Sequence, residues 1–298
     1  MTIKAGFSKT GAELHNTNDA IAASPHVIPN RSGFARQTSM PTAAARRSKG
    51  VSDQMNIEIC HRVEAKGFVA ATDGNISARL PDGNILVTPA SLNKGFVGAG
   101  DLVEVSPDGV HVNGKGKPSS EMDMHLAIYK SRPDVNAVVH CHPVYATAFA
   151  TARIPLTECL FPEVIVGLGA IPLAPYATPS TKEVVESIAP YVKTADAILL
   201  SNHGVVTYGK NLWDAYFKME KVEQSAHIQY AARMLGGEKV LSANEVAKLR
   251  AISASHYGKD FSGKPGCEVD PSSQDIEITE EEFHTIVEEV KKRLNQTA

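Results

Sequence analysis

Residues 137–143 read Ala-Val-Val-His-Cys-His-Pro, and the interpretation of the whole chain starts from them. The apolar residues at the start of this stretch predict a buried strand, and the proline at its end predicts the start of a helix. Side chains two residues apart on a strand point to the same face, so His140 and His142 can reach one ion. Cys141 points to the opposite face, where we expect a small core residue.

A third histidine follows another predicted strand. His203 lies in Ser201-Asn-His-Gly204, directly after the apolar strand Ala197–Leu200. If the two strands are neighbours, their ends deliver the imidazoles of His140, His142 and His203 to one point. Three protein ligands with one open position are typical of a catalytic zinc site. The alternative interpretation is that these are core histidines, or that the His-x-His spacing is chance.

Helical and strand patterns alternate from about residue 51 to residue 258, which predicts an α/β domain. Pro107-Asp-Gly109 predicts a hairpin turn, and Ser120 is a candidate N-cap for the helix that follows it. The predicted helices are Val51–Gly67, Glu121–Ser131 and Asn211–Leu235, and the predicted strands are Asn84–Thr88, Leu102–Val105, 137–142 and Ala197–Leu200.

The composition excludes several classes of protein. The 298 residues carry a formal net charge of −3, and 43% of them are apolar. There is enough apolar material for a sizeable core, and no overall positive field that would recruit nucleic acid or an anionic membrane. No apolar run reaches the roughly 18–20 residues that span a bilayer, and the N-terminus lacks the apolar segment of a secretory signal. The four cysteines form no Cys-x-x-Cys pair, so we expect no disulfide framework and a reducing, cytoplasmic environment.

The N-terminal segment differs from the rest of the chain. The first 50 residues hold seven Lys or Arg against Glu13 and Asp19, a net charge of +5. Their polar composition has no sustained apolar period, which predicts a flexible basic extension over residues 1–48. Its acid-poor, arginine-containing composition is also compatible with an organellar transit peptide.

Loops of small polar residues indicate an anion site. Pro118-Ser-Ser-Glu121 places two hydroxyls and a carboxylate at a predicted helix N-terminus, where free N–H groups and the helix dipole favour phosphate. Gly74-Asn-Ile-Ser77 and Thr88-Pro-Ala-Ser91 are predicted loops that could donate to the same phosphate. Ordinary turns use the same residues, and Glu121 could serve only as a first-turn carboxylate.

Six short motifs follow one another along the chain. They are Gly74-Asn-Ile-Ser77, Val87-Thr-Pro89, Pro118-Ser-Ser-Glu121, His140-x-His-Pro143, Pro175-Tyr-Ala-Thr178 and Asn202-His-Gly204. In their order and spacing they resemble the class II aldolase family, which includes L-fuculose-1-phosphate aldolase, L-ribulose-5-phosphate 4-epimerase and the adducin head domain. The resemblance covers roughly residues 51–258. It implies a three-layer α/β/α fold with a central, mostly antiparallel sheet, and a homotetramer.

The resemblance also implies roles for individual residues. His140, His142 and His203 would be zinc ligands, and Glu121 would be a fourth ligand that becomes the catalytic acid/base when substrate displaces it. Tyr257 is similar to the C-terminal active-site tyrosine of the aldolases. The residues that fall at the family's phosphate-binding positions are Asn75, Ser91, Ser119 and Ser120.

This sequence departs from the family pattern at two positions. The family commonly has Thr-Gly after its Thr-Pro pair, whereas this chain has Ala90-Ser91, which changes one part of the phosphate pocket. A second tyrosine of the aldolase pocket would fall near Phe161, which has no hydroxyl, and this affects how the aldehyde half is held.

The resemblance implies retro-aldol cleavage of L-fuculose 1-phosphate or L-rhamnulose 1-phosphate to dihydroxyacetone phosphate and lactaldehyde. Zinc would stabilise the resulting enediolate as a Lewis acid, with Mn²⁺, Co²⁺ or Fe²⁺ as alternatives. Family relatives with the same histidines epimerise, dehydrate or decarboxylate their substrates, so these reactions stay open. An adducin-like interaction domain without catalysis is a further alternative, although that branch is expected to have lost the ligands.

The chain beyond the family region is predicted to form a linker and a helix. We divide it into a catalytic domain over residues 49–258, a Gly/Pro/Ser-rich linker over residues 259–275 and an amphipathic helix within residues 276–298. Thr279 and Glu282 are spaced as a capping box. The helix is similar to peptides that target enzymes into bacterial microcompartments, which implies a shell protein as partner. The alternative is a helix that docks on its own domain or on another subunit.

Overall fold

The computed structural model describes residues 49–257, 266–267 and 280–296. The predicted extension over residues 1–48 lies outside the described residues, as do all but two residues of the predicted 259–275 linker. Among the described residues, no helix combines the length and the apolar character that crossing a membrane requires.

A sheet of eight strands forms the centre of the fold, in the order β4-β3-β2-β1-β5-β8-β7-β6. Every neighbouring pair is antiparallel except β6 and β7. This confirms the predicted mostly antiparallel sheet. The strands are β1 (Asn75–Arg79), β2 (Ile85–Val87), β3 (Val103–Val105), β4 (His111–Asn113), β5 (Ala137–Cys141), β6 (Leu173–Ala174), β7 (Ala197–Leu200) and β8 (Gly204–Gly209).

The described residues also form a short 3₁₀-helix (Lys94–Phe96) and eight α-helices, several of which pack on the sheet. The α-helices are α1 (Lys49–Ala65), α2 (Met122–Ser131), α3 (Val144–Thr151), α4 (Pro162–Gly167), α5 (Lys182–Val192), α6 (Leu212–Met234), α7 (Ala243–Tyr257) and α8 (Glu280–Gln296). Side-chain caps begin three of them: Thr181 accepts a hydrogen bond at the start of α5, Asn211 accepts one at the start of α6, and Ser242 accepts one from the Glu245 N–H at the start of α7.

Two apolar cores, one on each face of the sheet, make the fold three-layered. One core packs α1, α3 and α6 against side chains such as Val139 and Cys141 of β5. The other packs α2 and α5 against Val138 of β5 and Val206 of β8. Because side chains of a strand alternate between faces, β5 contributes to both cores. Cys141 is fully buried, as predicted.

Two local predictions are wrong. Gly74-Asn-Ile-Ser77 is not a loop, because Asn75 begins β1. The side chains of Asn75 and Ser77 are polar although they are buried, so the sequence of this strand lacks the usual apolar residues on its buried face. Ser120 does not cap α2: the N-cap residue is Glu121, without a side-chain capping bond, and the Ser120 hydroxyl instead accepts a hydrogen bond from Ser180. The other helices and strands predicted over residues 51–235 are present, with ends that differ by at most two residues.

The cysteine spacing predicts no disulfide framework, but the structure contains a disulfide. Cys159 is bonded to Cys267, which lies 108 residues further along the chain. Both residues belong to a small third core that includes Ile165 of α4 and Val246 of α7. Tertiary packing rather than sequence spacing brings the two cysteines together, so the sequence pattern gives no sign of the bond.

We predict that Cys267→Ser lowers the free energy of unfolding by about 2–4 kcal/mol, because the disulfide restricts the unfolded chain over a long loop. Urea unfolding in the absence of reductant measures the difference. With excess dithiothreitol the wild type should unfold at the midpoint of the variant. Equal midpoints without reductant would contradict the prediction.

Candidate active site

Three histidines meet where β5 ends and β8 begins. His140 is the fourth residue of β5, and His142 directly follows that strand. His203 lies in the tight turn between β7 and β8. The expectation that β5 and β7 are neighbours is wrong, because β8 lies between them. His203 still reaches the site because β8, which it precedes, is the antiparallel partner of β5.

The ligand atoms of the three histidines are close enough to share one ion. Each imidazole offers a nitrogen within 4.8 Å of the others, and Nε2 of His140 lies 3.1 Å from Nε2 of His142. Glu121 faces the same point from the residue that precedes α2. Its Oε2 is 3.3 Å from Nε2 of His140, and its Oε1 is 3.2 Å from Nε2 of His203.

Two features of this cluster fit a bound cation. The facing Nε2 atoms of His140 and His142 cannot both be satisfied by a hydrogen bond between them if Nδ1 of each carries the proton. Oε1 of Glu121 is buried and accepts no hydrogen bond among the described residues, since its 3.2 Å contact with Nε2 of His203 lacks hydrogen-bond geometry. A buried carboxylate oxygen without a partner is costly unless a charge compensates it. Three imidazoles and one carboxylate are a donor set that suits zinc.

Contacts behind the ligands fix their orientation. Nδ1 of His140 donates to the carbonyl oxygen of Val205 at 2.9 Å, which leaves Nε2 as the atom that faces the cluster. Nδ1 of His142 lies 3.6 Å from the Asp73 carboxylate. Each of these two rings therefore has a partner on the side away from the site.

The electrostatics of the cluster favour an ionised carboxylate. Burial alone would raise the pKa of Glu121, but the facing rings of His140 and His203 outweigh burial and hold this pKa well below its usual range. Burial would lower the pKa of His140, but the Glu121 carboxylate raises it above its ordinary value. Burial and the neighbouring His140 and His203 rings lower the pKa of His142 to about 3, so His142 is neutral.

Glycines allow the two ligand-bearing segments to approach each other. A Cβ on Gly204 would lie 2.5 Å from the carbonyl oxygen of Cys141 and 2.5 Å from Cδ2 of His142. Gly74 has a φ of +71°, and its Cβ would lie 2.8 Å from the carbonyl oxygen of His140. Any side chain at either position would push the ligand segments apart.

The residues predicted to bind phosphate lie on segments that meet beside Glu121. Asn75 donates from Nδ2 to Oε2 of Glu121 at 2.8 Å. The segment before Ser91 is bonded to the segment before Ser119, through Ala90 N–H to the Lys117 carbonyl oxygen at 2.9 Å and through a bridge between Pro89 and Pro118. The remaining two, Ser119 and Ser120, directly precede Glu121.

The two aromatic positions of the predicted pocket lie on α4 and α7. Phe161 is the N-cap residue of α4 and packs, half-buried, against the core that contains α6. Tyr257 is the last residue of α7. Its side chain lies outside the described part of the structure, so its catalytic role stays a prediction.

Two polar residues behind the site, His125 and Tyr129, are not predicted from the sequence. Both are buried on α2, and together with Glu121 they form a row with a spacing of four residues. This spacing places all three on one face of a helix. The spacing of four residues is visible in the sequence, but it indicates a polar network only once Asn75 and Ser77 of β1 are known to contact these side chains.

Comparison with known proteins agrees with this geometry. The family described as the class II aldolase and adducin N-terminal domain matches residues 54–230, more than half of the chain. The chain belongs to this family. Membership of this family supports an enzyme, and class II aldolases are metal-dependent, in agreement with a group of three histidines that could hold a metal.

Similar members of the class II aldolase family carry two different activities. The chain is 38% identical over 175 residues to the L-fuculose phosphate aldolase of Methanococcus maripaludis strain C7, covering 58% of this chain and 93% of that protein. It is 34% identical over 192 residues to the 3-oxo-tetronate 4-phosphate decarboxylase of Escherichia coli K12, covering 62% and 89%. The crystal structure of YgbL from Escherichia coli, described as an aldolase, epimerase or decarboxylase, matches with a TM-score of 0.63 and 31% identity, covering 70% of this chain and 99% of YgbL.

We predict that Gly204→Ala weakens zinc binding at least about tenfold, because the new Cβ displaces His142 and the turn that carries His203. Gly100→Ala is the matched control, since a Cβ there meets no atom within 4 Å. Titration of the metal-free proteins with zinc and a competing chelator measures both affinities. Equal affinities for the two variants would contradict the prediction.

Proposed function

We propose that the protein cleaves a carbon–carbon bond in a phosphorylated hydroxycarbonyl compound, in a metal-dependent reaction. The reaction we favour is retro-aldol cleavage of L-fuculose 1-phosphate or L-rhamnulose 1-phosphate to dihydroxyacetone phosphate and lactaldehyde. The observation that carries the proposal is the position of Glu121. Its carboxylate contacts two of the clustered imidazoles, and the same residue directly follows the serines at the start of α2.

His140, His142, His203 and Glu121 would hold the metal, with zinc as our first choice and Mn²⁺, Co²⁺ or Fe²⁺ as alternatives. When bound, the metal supplies Lewis-acid stabilisation for the negative charge that develops on substrate oxygens. All three imidazoles would bind the metal as neutral ligands, so most of its positive charge would be available for this purpose once substrate displaces Glu121.

The residues around the metal would divide the remaining work. Ser119, Ser120, Ser91 and Asn75 would bind the phosphate, together with N–H groups at the start of α2, and so orient the reacting atoms. Glu121 would transfer the proton to or from the substrate carbon, since it faces the cluster and is held there by contacts on both oxygens.

Tyr257 would move the proton on the aldehyde oxygen. As part of the proposal the protein is a homotetramer, in which Tyr257 could act on the metal of a neighbouring subunit.

Decarboxylation of a 4-phosphorylated 3-oxo acid is the second candidate, and the similarity to the Escherichia coli decarboxylase favours it. Phe161 is consistent with this alternative, because the second tyrosine expected of an aldolase pocket is missing. Retro-aldol cleavage and decarboxylation both break a carbon–carbon bond and leave charge on an enolate oxygen, so one metal site can serve either reaction. Epimerisation and dehydration would use the same site. The non-catalytic adducin-like alternative is disfavoured by the complete ligand set.

The test is a substrate panel assayed with wild type, His142→Ala and Glu121→Gln. The panel contains L-fuculose 1-phosphate, L-rhamnulose 1-phosphate, 3-oxo-tetronate 4-phosphate and L-ribulose 5-phosphate, with zinc content measured on each protein. We predict that His142→Ala loses metal and activity together. Glu121→Gln should keep metal and phosphate binding but lose turnover by at least about 100-fold, because no group then moves the proton.

Three results would count against the proposal. A metal-free wild type that is indifferent to chelators would contradict the metal site. Wild-type rates from Glu121→Gln would contradict the role of its carboxylate. If L-ribulose 5-phosphate were the one panel member turned over, the protein would be an epimerase and the proposed bond cleavage would be wrong.

We further propose that α8 is an encapsulation helix, which a shell protein of a bacterial microcompartment binds through its apolar stripe. This would place the enzyme in the cytoplasm, inside such a compartment. The stripe includes Phe283, which is half exposed at 52%, and Val287 one turn later. The alternative is docking on the enzyme itself or on another subunit.

Deletion of residues 276–298 tests this and retains Cys267, so the disulfide is preserved. We predict unchanged cleavage activity and loss of co-assembly with co-expressed shell proteins. Phe283→Ser in the full chain should also weaken co-assembly, though less than the deletion, because it removes one apolar contact. Loss of folding or of activity on deletion would favour the docking alternative.

A further inference from the structure

A row of five buried or nearly buried polar side chains runs between β1 and α2, behind the proposed active site. Two of the side chains come from one face of β1 and three from one face of the segment that begins with Glu121 and continues as α2. Along the row, side chains from the α2 segment alternate with side chains from β1. In order towards the site, the side chains are Tyr129, Ser77, His125, Asn75 and Glu121.

Short contacts connect the whole row. Tyr129 Oη lies 2.8 Å from Ser77 Oγ, which lies 2.6 Å from Nδ1 of His125. Nε2 of His125 lies 2.5 Å from Oδ1 of Asn75. Nδ2 of Asn75 donates to Oε2 of Glu121 at 2.8 Å. The four residues behind Glu121 are at most 4% exposed, so these hydrogen bonds form in surroundings that exclude water.

The ionised carboxylate of Glu121 sets the direction of every hydrogen bond in the row. A carboxylate only accepts, so the amide nitrogen of Asn75 must face it and the amide oxygen must face His125. Nε2 of His125 must then carry a proton. In a neutral ring Nδ1 accepts from the Ser77 hydroxyl, which in turn accepts from the Tyr129 hydroxyl. All four donors therefore point towards Glu121.

The surroundings of His125 agree with a neutral ring. His125 is fully buried, and burial together with the nearby His140 lowers its pKa to about 3, although Glu121 acts in the opposite sense. A charged ring would have to donate from both nitrogens. This would reverse the Ser77 hydroxyl and break the order of the row.

His125 is the member that distinguishes the two ends of the Asn75 amide. The nitrogen and oxygen of an amide are nearly equal in size, so packing alone does not decide between the two orientations. If the amide were reversed, its oxygen would face the carboxylate of Glu121 and the two would repel each other. The Nε2–H of His125 holds the amide oxygen and so prevents this reversal.

We propose that His125 is a positioning residue for the reaction: it fixes the orientation of the Asn75 amide, which in turn holds the Glu121 carboxylate. The proposal rests on the proposed function of Glu121 as the acid/base. His125 itself acts only through Asn75.

Two amide variants of His125 distinguish the role of Nε2 from the role of Nδ1. The amide of His125→Gln can place a donor where Nε2 faces Asn75, whereas the shorter amide of His125→Asn reaches only the Ser77 side. We expect His125→Asn to lower kcat about 10- to 100-fold, with KM within about threefold and metal content unchanged. His125→Gln should recover most of this loss. In a background that already carries Asn75→Ala, His125→Asn should lower kcat no further.

A packing control distinguishes positioning from a merely structural role. Met124 is the neighbour of His125 on α2, is 1% exposed and packs in the core that contains α5. Met124→Ala should lower thermal stability while kcat of the folded enzyme stays within about twofold of wild type. A similar loss of kcat in Met124→Ala and His125→Asn, or no recovery with His125→Gln, would overturn the proposal.

A second measurement needs no substrate. In wild-type protein labelled with ¹⁵N-histidine, the nitrogen shifts of His125 should be those of a neutral ring protonated on Nε2 between pH 6 and 9. A ring protonated on Nδ1, or a charged ring, would overturn the proposal. If wild type turns over no member of the panel, the proposed function fails and this measurement alone decides the role of His125. If wild type is active and His125→Asn matches it, the function stands and the positioning role is overturned.

Discussion

The antiparallel pairing of β5 with β8 is the constraint on which the candidate active site depends. Cys141 at the end of β5 is paired with Val205 near the start of β8, and this pairing brings the turn that carries His203 against His142. Gly204 permits the approach because it has no side chain. The fully buried residues of both strands anchor the pairing in two apolar cores, so the spacing of the imidazoles is a property of the sheet.

Glu121 connects this metal-ligand group to the rest of the site. A buried carboxylate is costly unless other charges and donors compensate it. Here the compensation comes from the rings of His140 and His203 and from the amide of Asn75. Because Glu121 also precedes α2, the same residue links the metal ligands, the serines proposed to bind phosphate and the polar row along α2 and β1. A change in any of these elements therefore alters the position or the electrostatic environment of the Glu121 carboxylate.

Much of this arrangement is predictable from the chain because the information is local. The His-x-His spacing on an apolar strand predicts two ligands on one face, and Glu121 next to two serines predicts a carboxylate at a helix start. The residues that were missed depend on distant partners. Asn75 and Ser77 look like loop residues until α2 is seen to cover them, and the Cys159–Cys267 bond joins cysteines 108 residues apart. The expected adjacency of β5 and β7 was wrong because β8 inserts between them.

The sequence by itself determined the family, the mostly antiparallel α/β architecture and the types of side chain available to hold a metal. These properties depend on strand periodicity and motif spacing, which can be read from short segments of the chain. Only the tertiary structure decided which atoms face one another. It placed the Glu121 carboxylate against the imidazoles of His140 and His203, gave the buried row from Tyr129 to Asn75 its direction and paired two distant cysteines. The physical reason is that hydrogen-bond direction, burial and pairing depend on groups far apart in the chain, which meet only when the sheet and its helices are packed.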